Sequence, residues 1–239
     1  MLDRFEYLQE MGIDVWVERN QPALDSNSNE HLTGNFSADI SASPSQEHTA
    51  GLNWKDLAER VSSCTTCGLH LCRSQTVFGS GDRNTALMIV GEAPGAEEDR
   101  QGEPFVGRAG QLLNSMLLAL GFAREQVFIT NILKCRPPDN RDPKAEEVAA
   151  CADYLKRQIS LVEPKAILAV GRVAAQNLLG DQTPIGKMRG RTYQLVDEAT
   201  SAEIPVIVTY HPAYLLRSPQ EKRKSWDDLV LLKRTMEAS

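Results

Sequence analysis

The sequence predicts an α/β protein in which helices cover both faces of a parallel sheet. Short apolar runs alternate along the chain with segments of helical periodicity, a pattern typical of βαβ units. The runs are continuous rather than interrupted by polar residues, as expected for strands buried on both faces. Four runs qualify as strands: Ala86–Val90, Val127–Thr130, Ala166–Val170 and Val206–Thr209.

Each helical segment between these strands has a local signal of its own. Leucines and a methionine between positions 112 and 120 form one apolar face, and Gly121 closes that helix. Pro143 stands at a favourable first-turn position for the next helix, which runs through Ile159. Two further helices are predicted over Arg172–Leu179 and Trp226–Met236.

Polar segments that contain glycine or proline follow the predicted strands. In chain order they read GEAPG, TNILKCRPPDNR, GR and YHPAYLLR. Parallel sheets bind ligands at the carboxyl ends of their strands. The four segments are therefore the predicted functional site.

Composition divides the chain into three parts. Residues 1–19 combine apolar and aromatic side chains and are interpreted as a partner-binding peptide. Residues 20–50, rich in Ser, Asn, Gln and Asp, are predicted to be a disordered linker, and residues 51–239 the folded domain. Nine acidic and two basic residues lie within positions 1–50, whereas the predicted domain is nearly neutral. Binding of nucleic acid by that domain would therefore need local basic patches.

The sequence carries no signal for a membrane or for secretion. No stretch approaches the roughly 20 apolar residues that span a bilayer. The acidic N-terminus lacks the apolar core of a secretory signal. We therefore expect a cytoplasmic protein without membrane association.

Five cysteines argue for a metal site or a reactive thiol rather than a disulfide framework, because their number is odd. Cys64 and Cys67 form a C-x2-C pair whose two sulfurs can reach one metal. Cys135 and Cys151 can complete a four-thiolate site from two further segments. Spacing alone leaves a zinc ion and an iron–sulfur cluster both open. Cys72 is expected to be a packed thiol.

Four segments carry a combined signal that is far more specific than any one of them. They are CTTCGLHLCRSQTVFGSGD (64–82), GEAPGAEEDRQGEPFVGRAGQLLN (91–114), ITNILKCRPPDNRDP (129–143) and HPAYLLR (211–217). Together they resemble the family 4 uracil-DNA glycosylases, the iron–sulfur branch of that superfamily, over about residues 54–236.

The resemblance implies a three-layer α/β/α fold around a four-stranded parallel sheet. It implies a base-excision enzyme that hydrolyses the N-glycosidic bond of uracil in single- or double-stranded DNA, is monofunctional and leaves an abasic site. It also implies a [4Fe–4S] cluster bound by Cys64, Cys67, Cys135 and Cys151.

Three side chains are implied to hold a uracil that has been flipped out of the duplex. Phe105 would stack on the base. The Asn131 amide would accept from uracil N3–H and donate to O4, a pattern that cytosine reverses. His211 would donate a hydrogen bond to O2 and so stabilise the uracil anion as the C1′–N1 bond breaks.

The loop after the first strand begins at Gly91 and is expected to bring backbone groups close to the base. Its Ala93 occupies the position where the best-known uracil glycosylase branch carries a water-activating aspartate. Water activation then falls to Glu92 or Asn140, or the uracil anion leaves with little general-base help. Glu98 lies where the family places a residue near uracil C5, and is expected to help exclude the methyl group of thymine.

Basic and apolar side chains near the strand ends are the predicted DNA contacts. A basic loop around a cysteine would face phosphates. Leucines after His211 would wedge into the space that the flipped base vacates. The six predicted contacts are Lys134, Arg136, Arg141, Leu215, Leu216 and Arg217.

The segment YLQEMGIDVWVER (7–19) resembles the N-terminal segment of the psi subunit of bacterial DNA polymerase III, which contacts the clamp loader. This resemblance implies a tether to replication on the bacterial nucleoid. The glycosylase itself is expected to be a monomer.

Two other classes of function compete with the glycosylase. One is a non-catalytic, metal-stapled nucleic-acid-binding replication accessory protein, which would have no need of Phe105, Asn131 and His211. The other is a redox protein, against which the absence of a Rossmann glycine fingerprint argues.

Overall fold

A computed structural model describes residue 49 and residues 51–238 of the chain. The predicted peptide at 1–19 and the predicted linker, apart from Thr49, lie outside the described residues. Among those that are described, no helix combines the length and the apolar character needed to cross a membrane.

The centre of the molecule is a six-stranded sheet. Its strands are β1 (Ser80–Gly81), β2 (Leu87–Gly91), β3 (Phe128–Asn131), β4 (Ala166–Val170), β5 (Thr192–Val196) and β6 (Glu203–Thr209). They lie in the order β1-β3-β2-β4-β6-β5. The four inner strands are parallel, and the short edge strands β1 and β5 pair antiparallel with their neighbours.

The four inner strands confirm the predicted parallel sheet. The two short antiparallel strands at its edges were not predicted. Strands β2 and β4 are buried at every residue, which explains their uninterrupted apolar runs. Edge strand β5 instead alternates between exposed and half-buried residues, because one of its faces meets solvent.

Eight α-helices of the described residues connect and cover these strands. They are α1 (Trp54–Ser62), α2 (Ala96–Gln101), α3 (Arg108–Leu120), α4 (Ala145–Val162), α5 (Arg172–Leu179), α6 (Ile185–Met188), α7 (Pro212–Arg217) and α8 (Lys222–Ala238). Short 3-10 turns lie at Gly68–Leu71, Arg124–Gln126, Pro138–Asn140 and Pro219–Glu221. Helix α3 ends as predicted, because Gly121 adopts a left-handed φ of 91° that closes its last turn.

Two apolar cores lie on opposite faces of the sheet and make the three predicted layers. Leu87 and Ile89 of β2 pack with helices α3, α7 and α8 on one face. Met88 and Val90, which point the other way, pack with α4 and α5. The alternation of side chains along one strand therefore supplies both cores.

A third, smaller core lies beside the sheet and is called here the cysteine lobe. It packs apolar residues of α1, the 3-10 turn at 68–71, the loop after β3 and helix α4 around sulfur atoms. Its members include Leu57, Val61, Leu69, Leu133, Tyr154, Cys64, Cys67, Cys135 and Cys151.

Candidate active site

The carboxyl ends of the inner strands meet at one edge of the sheet and form the candidate site. Gly91 ends β2 directly beside Asn131, which ends β3. The pairing continues past the strands, because Ile132 N donates to the Gly91 carbonyl at 2.9 Å. On the other side, Gly171 follows β4 and its N–H donates to Thr209 O at the end of β6, two residues before His211.

Gly91 is the point where two predicted base-contacting side chains come together. A Cβ built on it would lie 2.3 Å from Asn131 Oδ1 and 2.6 Å from Phe105 Cζ. Its φ is not in the left-handed region, so glycine is needed here for space rather than for backbone freedom. The amide and the aromatic ring can approach each other only because this position has no side chain.

Phe105 joins this pair to His211. Its ring stacks on the imidazole with centroids 5.6 Å apart and planes inclined by 29°. Phe105 is 6% exposed and holds a φ of 53°, a left-handed conformation that costs a non-glycine residue about 1–2 kcal/mol. The structure thus brings Phe105, Asn131 and His211 together, and we call them, with Gly91, the base pocket.

The Asn131 side chain has a buried acceptor without a partner. The residue is 1% exposed, and its Oδ1 makes no hydrogen bond with any described residue. An unpaired buried polar atom costs free energy, so it usually marks a site that a ligand completes. A base that presents an N–H to Oδ1 would supply the missing bond.

His211 has its tautomer set by the backbone of the helix that it begins. Ala213 N donates to His211 Nδ1 at 3.1 Å, so the ring proton of the neutral imidazole resides on Nε2. Burial, followed by the positive charge of Arg217, lowers the pKa of His211 to about 4, although Glu98 acts in the opposite direction. At neutral pH the site therefore offers a neutral imidazole with one donor, Nε2–H.

Glu98 holds the backbone that surrounds the pocket. One carboxylate oxygen accepts from Val106 N at 3.0 Å and Gly107 N at 3.1 Å, and the other accepts from Gly95 N at 3.1 Å. The carboxylate thus fastens the loop after β2 to the turn that carries Phe105. These bonds add a scaffolding role that the sequence did not indicate.

The two residues predicted to activate water differ in their surroundings. Glu92 is half-buried next to Gly91, and burial, together with the charge of Asp142, raises the pKa of its carboxyl group, which Arg172 partly opposes. Asn140 is exposed, and its Oδ1 accepts from Arg136 Nε at 2.8 Å. Glu92 therefore directly follows a residue of the pocket in the chain, whereas Asn140 is bonded within the loop after β3.

Ala93 turns towards the cysteine lobe and not to a polar neighbour. Its methyl group packs against the apolar cluster that contains Leu69 and Cys135. This position is therefore part of a small apolar core.

The four cysteines of the predicted metal site line one small enclosed cavity, together with Arg73, Lys134 and Tyr154. Arg73 Nη1 donates to Cys135 Sγ at 3.1 Å, and the backbone N of Lys134 donates to Cys151 Sγ at 3.4 Å. Burial raises the pKa of the Cys135 thiol and raises that of Cys151 to about 12. Donors and cations thus face the sulfurs, as suits thiolates that have bound metal.

The arrangement of these thiols bears on the kind of metal group. Four thiolates on zinc all lie about 2.3 Å from a single ion. In the described part of the chain, no three His, Cys, Asp or Glu side chains are placed to hold one metal ion. Cysteine thiolates are also the usual ligands of iron–sulfur clusters, so the residue types present fit either kind of group.

Lys134 corrects one of the predicted DNA contacts. Its side chain is 1% exposed, and Nζ donates to Thr130 Oγ1 at 2.6 Å, Asn131 O at 2.7 Å and Gln158 Oε1 at 2.7 Å. Burial lowers the pKa of the ammonium group to about 8, against the influence of Cys151 and Cys135. A side chain that is buried and bonded in this way cannot reach a phosphate.

Leu215 is a second predicted DNA contact that the structure corrects. It is fully buried in the core beneath α7, whereas its neighbour Leu216 is 37% exposed. Adjacent residues of a helix point about 100° apart, so only one of this pair can face DNA. Leu216 and the exposed Arg217 keep the positions that a DNA contact needs.

The remaining predicted contacts, Arg136 and Arg141, are engaged within the protein. Arg136 is half-buried and bonded to Asn140. Arg141 forms a two-point ion pair with Glu147, at 2.5 and 2.9 Å, next to the start of α4. Both guanidinium groups therefore also hold the loop between β3 and α4 in shape.

Two functional contacts had no clear signal in the sequence. Gln158 lies on α4 and binds Phe78 O, Thr130 Oγ1 and Lys134 Nζ, so it fastens the helix to the end of β3. Arg124 binds the turn that carries Phe105. Neither residue belongs to a motif, and their separation in sequence from their partners hides both roles.

Comparison with known proteins agrees with this geometry. A family model described as the uracil DNA glycosylase superfamily matches residues 78–230. A type-4 uracil-DNA glycosylase of Archaeoglobus fulgidus is 44% identical over 177 residues, which cover 72% of this chain and 88% of the relative. Relatives of the same name from Pyrobaculum aerophilum and Thermotoga maritima are 42% and 45% identical, covering 75% and 68% of this chain and 93% and 82% of their own lengths. The chain therefore belongs to the type-4 uracil-DNA glycosylase family.

Proposed function

We propose that this protein is a monofunctional uracil-DNA glycosylase, which hydrolyses the C1′–N1 bond of deoxyuridine in DNA and leaves an abasic site. The observation that carries the proposal is the base pocket. A buried and unpartnered amide oxygen, an aromatic ring and a neutral imidazole meet around a residue that has no side chain.

Recognition of the base begins with its removal from the stack, since a glycosidic bond inside a duplex is out of reach. Phe105 stacks on the extruded ring. Asn131 Oδ1 accepts from uracil N3–H, which is the bond that this atom lacks among the described residues. Cytosine carries no proton on N3, so it would leave the buried oxygen unsatisfied, and discrimination follows from that penalty.

Bond cleavage moves the electron pair of the C1′–N1 bond into the uracil ring. Negative charge then gathers on O2, where His211 Nε2–H donates a hydrogen bond. Because the Ala213 N–H already occupies Nδ1, the imidazole keeps this donor without being protonated. A well-placed donor of this kind is worth about 2.7–4 kcal/mol to the transition state.

Water completes the reaction by adding its oxygen to C1′ of the oxocarbenium-like sugar and giving up a proton. We assign that proton to Glu92, which directly follows Gly91 in the chain and whose carboxyl group has a pKa above its ordinary value. A base with a raised pKa is better matched to neutral pH. The products are free uracil and a sugar with a hydroxyl group at C1′.

The state of Lys134 supports the proposal that the enzyme has no lyase step. Bifunctional enzymes attack C1′ with an amine. Lys134 lies three residues after Asn131, yet its Nζ is buried against three acceptors. It is therefore not available as a nucleophile, which supports a monofunctional enzyme.

The proposal includes a [4Fe–4S] cluster held by Cys64, Cys67, Cys135 and Cys151. The shared cavity and the donors that face its sulfur atoms support it. Bound there, the cluster would connect α1, the loop after β3 and α4, so its role would be structural. From the sequence we also propose that the protein is a cytoplasmic monomer on the nucleoid. Its residues 1–19 would bind the clamp loader.

The decisive experiment incubates the purified full chain with a 5′-labelled oligonucleotide that contains one uracil. We expect scission at uracil after alkali and none without it. Asn131→Ala should reduce the single-turnover rate at least 100-fold, whereas Asn84→Ala, in an exposed turn, should leave it unchanged. A wild-type chain that releases no uracil would instead favour the non-catalytic accessory protein, and scission without alkali would exclude a monofunctional enzyme.

A further inference from the structure

The turn that carries Phe105 is held from two sides by opposite charges. On one side, the Glu98 carboxylate accepts from the N–H groups of Val106 and Gly107. On the other, the Arg124 guanidinium donates to the carbonyls of Pro104, at 2.5 Å, and Phe105, at 3.2 Å. Each charge therefore matches the polarity of the backbone groups that it meets, and the two together span the peptide units on both sides of the ring.

These two sets of hydrogen bonds hold Phe105 in a backbone conformation that the residue does not favour on its own. Phe105 lies in the left-handed region with a φ of 53°, which disfavours a bulky side chain. Strain of this kind persists only where the surroundings over-determine the backbone. Gly110 permits this conformation, because a Cβ at that position would lie only 1.8 Å from the Phe105 carbonyl oxygen.

The constrained backbone sets the direction of the ring. With its φ held, Phe105 points its ring at Gly91 and against the His211 imidazole. A relaxed, extended backbone at this residue would carry the ring elsewhere and open the side of the pocket. The ring is thus ready to stack before the base arrives, and preorganisation of this kind raises rates without new contacts.

We propose that Arg124 is a positioning residue for catalysis, which acts on the reaction only through the Phe105 ring. The inference rests on the proposed function, because it assigns the ring to the uracil base. Arg124 also donates to Asn114 Oδ1 at 3.1 Å, which ties the guanidinium to α3 and fixes the direction of its fork.

The test is a double-mutant cycle between Arg124→Gln and Phe105→Ala, read as the single-turnover rate of uracil release at saturating enzyme. Arg124→Gln should slow the reaction about 10- to 100-fold when Phe105 is present. In the Phe105→Ala background the same change should alter the rate less than twofold, because no ring remains to be positioned. Arg124→Lys, which keeps the charge and can reach one carbonyl, should recover part of the rate.

Controls separate positioning from general damage to the fold. Arg100→Gln removes an exposed arginine of α2, whose ion pair with Glu97 is also exposed, and should change the rate less than twofold. Thermal unfolding of every variant reports folding, and if Arg124→Gln is unfolded the cycle is run with Arg124→Lys.

Two results would overturn the inference. The first is an equal loss of rate in both Phe105 backgrounds, which would make Arg124 a general structural residue. The second is no loss in either variant of Arg124 while Phe105→Ala itself is slow. A wild-type chain without activity on uracil DNA fails the proposed function instead, so the two failures remain distinct.

Discussion

The base pocket and the cysteine lobe are neighbours that are built in opposite ways. Gly91, Asn131 and His211 of the pocket stand on or just beyond the ends of parallel strands, and Phe105 reaches them from the turn between α2 and α3. Ligands of the lobe come from a helix end, a 3-10 turn, a loop and a second helix, outside the sheet. The pocket should therefore survive without its ligand, whereas the lobe should depend on what it binds.

The loop from Asn131 to Cys135 joins the two regions. Asn131 ends β3 in the base pocket, and Cys135 lines the cavity of the lobe four residues later. Lys134 lies between them and binds the Asn131 carbonyl through Nζ and the Cys151 sulfur through its backbone N–H. Loss of order in the lobe should consequently reach the residue that reads the base.

The largest effect is expected for Cys135→Ser, which removes a buried cysteine that we propose as a ligand of the cluster. Iron content and broad visible absorbance should fall by more than half. Because binding of the metal group contributes to folding, the free energy of unfolding should fall by about 3 kcal/mol or more. Cys72 is exposed and is not the packed thiol that the sequence predicted, so Cys72→Ser is the matched control and should retain both iron and stability. Full retention of iron by Cys135→Ser would contradict the proposed ligand set.

Lys134→Met tests the link between the two regions and should have the next largest effect. Methionine nearly fills the same volume but leaves three buried acceptors without their donor. Unpaired buried groups cost about 1–3 kcal/mol each, so we expect a loss of about 3 kcal/mol in urea unfolding, together with slower uracil release. Lys144→Met, at an exposed lysine, should change neither quantity. A variant with normal stability and a slow reaction would locate the role of Lys134 in the pocket alone.

A pH series tests the electrostatics of the pocket. The pKa of His211 is about 4 in the folded chain and 6.5 in its reference state, so the folded chain binds fewer protons between these values. Its contribution to stability is complete above pH 6.5 and is lost as pH falls from 6.5 through 4, a change of about 3 kcal/mol. His211→Ala should lack this pH-dependent contribution. The wild-type reaction should show no inflection near pH 6.5 from His211, and an acid limb that Glu92→Gln abolishes would identify the base.

The smallest effect is expected for Leu216→Ala, at an exposed residue of α7. A wedge matters only where a base must be replaced in a stack, so uracil release from duplex DNA should slow about fivefold, while release from single strands should not change. Leu118→Ala, another exposed leucine, serves as the control. Equal slowing on both substrates would argue for a different role of Leu216.

The sequence predicted the parts of the fold that obey simple patterns. Strands β2, β3, β4 and β6 were found because burial on both faces leaves uninterrupted apolar runs. Strand β1 has only two residues and gave no signal. Strand β5 was missed because TYQLV alternates, and only Tyr193 and Leu195 pack inward.

Site residues could be predicted where a sequence motif contains them. They could not be predicted where the role depends on the direction in which the side chain points. Phe105, Asn131 and His211 came from motifs. The sheet brings Asn131 and His211 to one edge, and the turn between α2 and α3 brings Phe105 to them. Lys134 looked like a phosphate contact because composition cannot say which way a side chain points. Leu215 was misjudged because its segment was expected to be a loop, whereas α7 turns it into the core.

Because Gly91 has no side chain, the pocket can be enlarged by mutation but cannot be narrowed at this position. Trimming the aromatic ring would widen the cavity and admit bulkier lesions without touching the sheet. A methyl group at position 91 would fall within 3 Å of both the Asn131 oxygen and the Phe105 ring, so it would displace the amide that confers selectivity. Variants that accept other damaged bases can therefore be designed by enlarging the pocket. A larger residue at position 91 would instead remove the selectivity between bases.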